Sequence, residues 1–264
     1  MRRACAARAY AAADNIVGLG VRASPVAPGP GPPRHTVCYR SAVPANLKVL
    51  PLSRARWRDL ETLFGERGAC GGCWCMWWRL PRSQFDRQKG AGNRRAFKRL
   101  VDSGETPGIL AYRDGRPIGW CALGPRRTYP VLDRSRTLKQ IDERPVWSVT
   151  CLFVARPHRR KGVTVDLLRA AAGHAARRGA SLLEGYPVEP RTGRLPDAFA
   201  WTGLPSAFRK AGFAEVLRRS PTRPIMRLVL RAPRAGPPAR ARPARGRVPQ
   251  KQSAGTGPPG DPRP

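Results

Sequence analysis

Hydrophobic positions along the chain fall into short blocks whose spacing alternates between the helical and the extended period, from about residue 47 to residue 231. Ser53 precedes a run with Trp57, Leu60, Leu63 and Phe64 on one side and Gly65 at its end, which predicts a capped amphipathic helix. Asn93 is placed to cap a second helix, with Phe97, Leu100 and Val101 inward and Gly104 after it. GILAYRDGRPIGWCALG then reads as a hairpin turning at Asp114-Gly115, because both residues tolerate positive φ.

WSVTCLFV, residues 147–154, is apolar on both faces and rich in strand formers, so it is predicted as a central strand. A helix is expected from about Gly162 to Arg178, carried by Val163, Leu167, Ala171 and Ala175. SLLEGYPV is a further buried strand, PSAFRKAG a short helix, and FAEVLRRS with IMRLVL a closing strand pair. This order predicts an α/β fold with a mixed sheet in a single domain over residues 47–231.

The flanks lack such periodicity. Residues 24–35 and 232–264 are proline-rich and are expected to be disordered, because they cannot bury enough apolar surface to offset the entropy of ordering. Residues 1–46 are read as a disordered leader; if it reflects a misassigned gene start, the true beginning is expected at a valine codon such as that of Val37 or Val43. The opening MRRACAARAYAAADNIVGLG makes a poor signal peptide, since alanine is weakly apolar and Arg8 interrupts the run. No apolar stretch approaches the ~18 residues of a membrane span.

Composition adds a strong charge, formally +33 over 264 residues. Such a field concentrates anions, so a nucleic acid or a phosphorylated cofactor is a candidate partner. Arginine, alanine, glycine and proline are abundant throughout, tails included, which reads first as GC-rich codon usage. The seven cysteines are odd in number and unevenly spaced, outline no disulfide framework, and suit a reducing cytoplasm.

Two stretches carry candidate chemistry. RPHRRKGVTVDLLRA, residues 156–170, joins the central strand to the long helix. A helix start leaves main-chain N–H groups unpaired and adds a positive dipole end, Gly162 lets the backbone approach a phosphate, and Arg159, Arg160 and Lys161 supply countercharge. GACGGCWCMWWRL, residues 68–80, gathers Cys70, Cys73 and Cys75 with Trp74, Met76, Trp77 and Trp78. A structural zinc site needs a fourth ligand that usual spacing does not offer, so no metal is expected. The aromatic residues either wall a substrate pocket or pack the core.

VARPHRRKGVTVDLLRAA resembles the acyl-CoA-binding motif of the Gcn5-related N-acetyltransferases (GNAT), in which a strand is followed by [RQ]-x-x-G-x-[GA] and a helix; Arg159, Gly162 and Val163 fall on the pattern, and Thr164 departs from its Gly or Ala. SAFRKAGFAEV is similar to the family's F/Y-x-x-x-GF segment, and the Cys- and Trp-rich stretch resembles segments in bacterial members. The resemblance spans roughly 47–231 and implies a splayed mixed sheet flanked by helices, a cytoplasmic enzyme, and acetyl-CoA or another acyl-CoA as co-substrate. It implies that Leu152, Phe153 and Val154 line the pantetheine arm and that Arg159, Arg160, Lys161, Gly162, Val163 and Thr164 hold the pyrophosphate. A main-chain N–H near Leu152 would polarise the thioester carbonyl.

The implied reaction is direct attack of a primary amine on the thioester in a ternary complex. The family's general-acid tyrosine is replaced by Phe208, so Tyr186 or Ser206 is a candidate stand-in, and Glu184 or Glu189 a candidate base. Two other readings stay open: a basic nucleic-acid-binding protein acting through ARARPARGR, and a member of the family that binds CoA without turnover.

Overall fold

A computed structural model describes residues 44, 46–191 and 195–230. All belong to one compact unit, Met1–Pro233; the second, Arg234–Pro264, lies outside the described residues, as do the leader up to residue 43 and the proline-rich stretches expected to be disordered. Among the described residues, no helix is long and apolar enough to cross a membrane.

The expected mixed sheet is present. Seven strands, β1 (Lys48–Pro51), β2 (Gly108–Arg113), β3 (Arg116–Pro125), β4 (Trp147–Val154), β5 (Leu182–Gly185), β6 (Ala214–Arg218) and β7 (Pro224–Val229), lie in the order β1-β2-β3-β4-β5-β7-β6. The helices are α1 (Trp57–Phe64), α2 (Arg82–Arg87), α3 (Ala91–Asp102), α4 (Pro130–Arg134), α5 (Val163–Arg177) and α6 (Pro205–Lys210). All neighbouring strands are antiparallel except β4 and β5, which run parallel and pair only over Trp147–Val149. Beyond Val149 the two strands part, and the sheet is splayed there.

β4 is apolar on both faces because it has a core on each. One cluster joins Ala111, Cys121, Leu123, Val149 and Leu152 to Leu167, Leu168 and Ala171 of α5. On the opposite face Trp57, Leu60 and Phe64 of α1 and Phe97 of α3 meet Leu110, Trp120 and Cys151. Val149 and Leu152 share a face although they are three residues apart. The register explains it: Leu123 faces Val149 and Ala122 faces Cys151, so Thr150 is an extra residue that bulges from the ladder. The bulge lies where β4 loses contact with β5.

Two helix starts differ from expectation. Ser53 makes no side-chain cap bond, and a short 3-10 turn, Arg54–Arg56, leads into α1. Asn93 caps nothing: α3 begins at Ala91, and the Asn93 amide is buried inside it, donating to the carbonyls of Gly72 (3.2 Å) and Phe85 (3.5 Å). It pins the Cys- and Trp-rich stretch to α3. β1, α2 and α4 were not anticipated by the periodicity, being short and weakly patterned.

Candidate active site

The strand-to-helix junction has the geometry of an anion site. Gly162 is the N-terminal cap of the 15-residue α5 and sits at φ +80°, a conformation that side chains disfavour. A Cβ built there meets nothing within 4 Å, so the space over the helix start is open. Arg160 and Lys161 are exposed beside it. The N–H groups of Val165 and Asp166 both turn back to the Gly162 carbonyl, so the first-turn donors that face outward are those of Val163 and Thr164. Val163 itself is buried against the sheet.

Two details correct the sequence reading. Arg159 is half-buried and tied down, its Nε donating to the Val154 carbonyl at 2.9 Å and its guanidinium pairing with Asp197 at 3.0 Å. It closes the loop onto β4 instead of standing free over the helix start. The Leu152 N–H, expected to polarise a carbonyl, donates to the Trp201 carbonyl at 2.7 Å. The segment containing Trp201 therefore bridges the gap left where β5 departs.

Alongside that gap lies a cavity of about 100 Å³, walled by Thr150–Phe153 of β4, by Cys70, Cys73 and Cys75, and by Trp77, Trp78, Phe85 and Trp201. Arg82, Asp86 and Lys89 also line it. Of the four residues expected to wall a pocket, Trp77 and Trp78 do so. Trp74 and Met76 are core residues instead: Trp74 stacks on Trp57 at 6.0 Å and tilts against Phe64 at 5.6 Å. Periodicity missed Phe85 because α2, at 6 residues, is shorter than two turns, and Trp201 because it comes from a distant loop.

The proposed acid and base residues are not at this cavity. Glu184 is 1% exposed. Its Oε1 accepts from Tyr186 Oη at 2.7 Å and from Arg126 at 3.2 Å, and its Oε2 accepts from Arg227 at 2.6 Å. Arg227 continues to Asp142, and Arg126 to Asp133. A carboxylate enclosed by two guanidinium groups holds a buried ion pair and has no path to an incoming ammonium. Tyr186 is equally enclosed, bonded to Ser148 and Arg126 as well; burial, then the Glu184 charge, push its phenol well above the ordinary range. Glu189 pairs with Arg218 at 2.8 Å. Ser206 is exposed on α6, whereas Phe208 is fully buried, its ring against Gly185 and Gly203. Position 208 thus fills the core between β5 and the loop at Gly203.

Among the described residues, no group of three or more His, Cys, Asp or Glu side chains is arranged to hold a metal ion.

Residues 74–189 match the family model described as Acetyltransferase (GNAT) family. No curated protein matches the sequence. Similar solved structures include a GNAT-family acetyltransferase from Streptococcus agalactiae, 11% identical, covering 70% of this chain and 96% of that one with a TM-score of 0.44. An N-acetyltransferase from Staphylococcus aureus is 12% identical over 71% of this chain and 100% of that one, with a TM-score of 0.42. The PaiA N-acetyltransferase from Thermoplasma acidophilum, solved in complex with coenzyme A, is 16% identical over 69% and 98%, with a TM-score of 0.40.

Proposed function

We propose that this chain, whose residues 74–189 match the acetyltransferase (GNAT) family model, transfers an acetyl group from acetyl-CoA to a primary amine by direct attack within a ternary complex. One observation carries the reading: a single strand, β4, walls an apolar cavity with Thr150–Phe153 and runs on into an open, left-handed glycine at the start of a long helix. A phosphate held at one end and a thioester delivered at the other are the two demands that acetyl-CoA makes.

Bound acetyl-CoA supplies the activated acyl group. The outward N–H groups of Val163 and Thr164, the α5 dipole and the exposed Arg160 and Lys161 hold its pyrophosphate. Leu152, Phe153 and Val154 flank the arm, with the Trp201 segment yielding the Leu152 N–H as the arm enters. The indoles of Trp77, Trp78 and Trp201 and the ring of Phe85 bound the cavity beside β4, which favours an acetyl group over a longer chain. Trp77 and Trp78 orient the amine, and proximity supplies much of the rate. With Glu184 sealed in ion pairs, Asp86, the one carboxylate among the described residues lining the cavity, takes the ammonium proton directly or through water.

The test is a thermal melt of the full chain with and without acetyl-CoA, repeated for Gly162→Glu. Ligand at ~100 times Kd adds about 2.7 kcal/mol, a rise of roughly 5 to 10 °C for a domain of this size. A rise that Gly162→Glu abolishes supports the cofactor site, and acetylated product from a panel of primary amines, read by mass, supports the reaction. A folded parent that shows no rise defeats the proposal.

A further inference from the structure

The cavity wall opposite β4 contains a feature that acyl transfer does not use. Cys70-Gly71-Gly72-Cys73 is a closed turn in which the Cys73 N–H donates to the Cys70 carbonyl at 3.2 Å. Both central glycines have positive φ, +55° and +76°, the backbone of a tight mirror-image turn that other residues resist. An i to i+3 turn keeps its outer Cα atoms within about 7 Å, and a disulfide spans about 4.4 to 6.8 Å. The paired glycines thus hold the Cα atoms of two free cysteines at about the separation a disulfide spans, and both residues line the cavity without being fully buried.

From this geometry we infer that the Cys70–Cys73 turn is a redox modification site, a dithiol that exchanges with low-molecular-weight disulfides. The Cys70 thiolate attacks one sulfur of the small disulfide, whose S–S bond breaks; one small thiolate leaves and is protonated by solvent. Cys73 then gives up its proton and attacks the Cys70 sulfur, expelling the second small thiol and closing the ring. Two protein thiols are oxidised and one small disulfide is reduced to two thiols. Burial, with help from Cys75 and Cys70, pushes the Cys73 thiol up to about 12, so little of it is thiolate at neutral pH and ring closure is the slow step, carried by the nearness of the two residues in the turn.

Two further thiols on the cavity act as internal controls. Cys75 is buried, and its Sγ accepts the Trp120 indole N–H at 3.2 Å. Cys151 is buried on β4, and its hydrogen bond with Cys75, followed by burial, pushes its thiol well up. These two stay reduced while the turn oxidises.

The experiment uses the full chain with Cys5→Ser and Cys38→Ser, without any acyl donor, equilibrated in glutathione buffers from reducing to oxidising. Samples are quenched with acid, unfolded, alkylated and mapped by mass. Closure predicts that Cys70 and Cys73 become resistant to alkylation together and lose two hydrogens, while Cys75, Cys121 and Cys151 remain alkylated. In Cys73→Ser the reaction stops with one glutathione on Cys70. The inference is overturned if Cys70 and Cys73 stay alkylatable at the oxidising end, or if the parent accumulates a stable glutathione adduct in place of the ring. Since acetyl-CoA is absent throughout, failure of the acyltransferase reading leaves this result independent.

Discussion

The main-chain N–H of Leu152 lies 2.7 Å from the carbonyl of Trp201, so the gap between β4 and β5 is bridged by a loop from a distant part of the sequence. The same residue presents its indole to the cavity and tilts it against Trp78 at 6.0 Å. Backbone and side chain of Trp201 therefore set two separate limits, one on the cleft and one on the cavity. Trp201→Ala removes only the second. Each added methylene in an apolar pocket is worth roughly 1 to 3 kcal/mol in discrimination. We expect the ratio of kcat/KM for butyryl-CoA over acetyl-CoA to rise at least about tenfold in this variant. An unchanged ratio means that Trp201 does not face the acyl group.

Asp86 stands at the cavity within α2, paired with Arg82 at 2.6 Å on an exposed surface. That pair contributes little to stability because solvent screens it. Asp86→Asn should therefore fold normally, with a Tm within a degree or two of the parent. As the proton acceptor it should lower kcat by roughly a hundredfold at pH 7. Raising the pH, so that more of the amine arrives already deprotonated, should recover part of the loss. A variant with parental kcat would exclude the role.

Glu184 has the opposite signature. Removing one partner from a buried charge network leaves Arg126 and Arg227 facing an uncharged group, at a cost of about 3 to 5 kcal/mol. We expect Glu184→Gln to lower the urea midpoint by a large fraction of the total while the folded remainder keeps its kcat. A fall in kcat without loss of stability would return Glu184 to the chemistry.

Much of this architecture was legible because it is local. The Asp114-Gly115 hairpin, the doubly apolar β4, and Gly162 opening α5 each lie within one short window, and each element stands where periodicity and turn residues put it. What could not be read is long-range. The partners of Glu184 are 58 and 43 residues away, at Arg126 and Arg227, so its burial as an ion pair has no local sign and a lone glutamate on a strand resembles a base. Asn93 resembled a cap because its residue type suits one; its amide instead holds the carbonyl of Gly72, 21 residues back. The Trp-rich stretch resolves residue by residue, Trp74 to the core and Trp77 and Trp78 to the cavity, according to a chain of left-handed turns from Gly65 to Cys75 that no period of 2 or 3.6 describes.

His174 predicts a pH dependence of folding that is separate from the site. It lies on α5, 7% exposed, edge-on to Trp147 at 6.0 Å, with its Nε2 buried and unpartnered among the described residues. Burial, then the charges of Arg178 and Arg177, hold its pKa at about 4, below the ordinary 6.5. Above pH 6.5 the ring is neutral in both the folded and unfolded chain, and stability is at its full value. As pH falls from 6.5 toward 4 the unfolded chain takes up a proton that the folded chain refuses, so stability declines, levelling off below 4 after a loss of roughly 3 kcal/mol. His174→Leu removes this titration. Urea unfolding at pH 7.5, 6.5, 5.5 and 4.5 should show the parent losing stability progressively over the last two steps and the variant losing markedly less. Parallel curves for the two proteins would show that the ring is protonated in the fold as readily as in the unfolded chain.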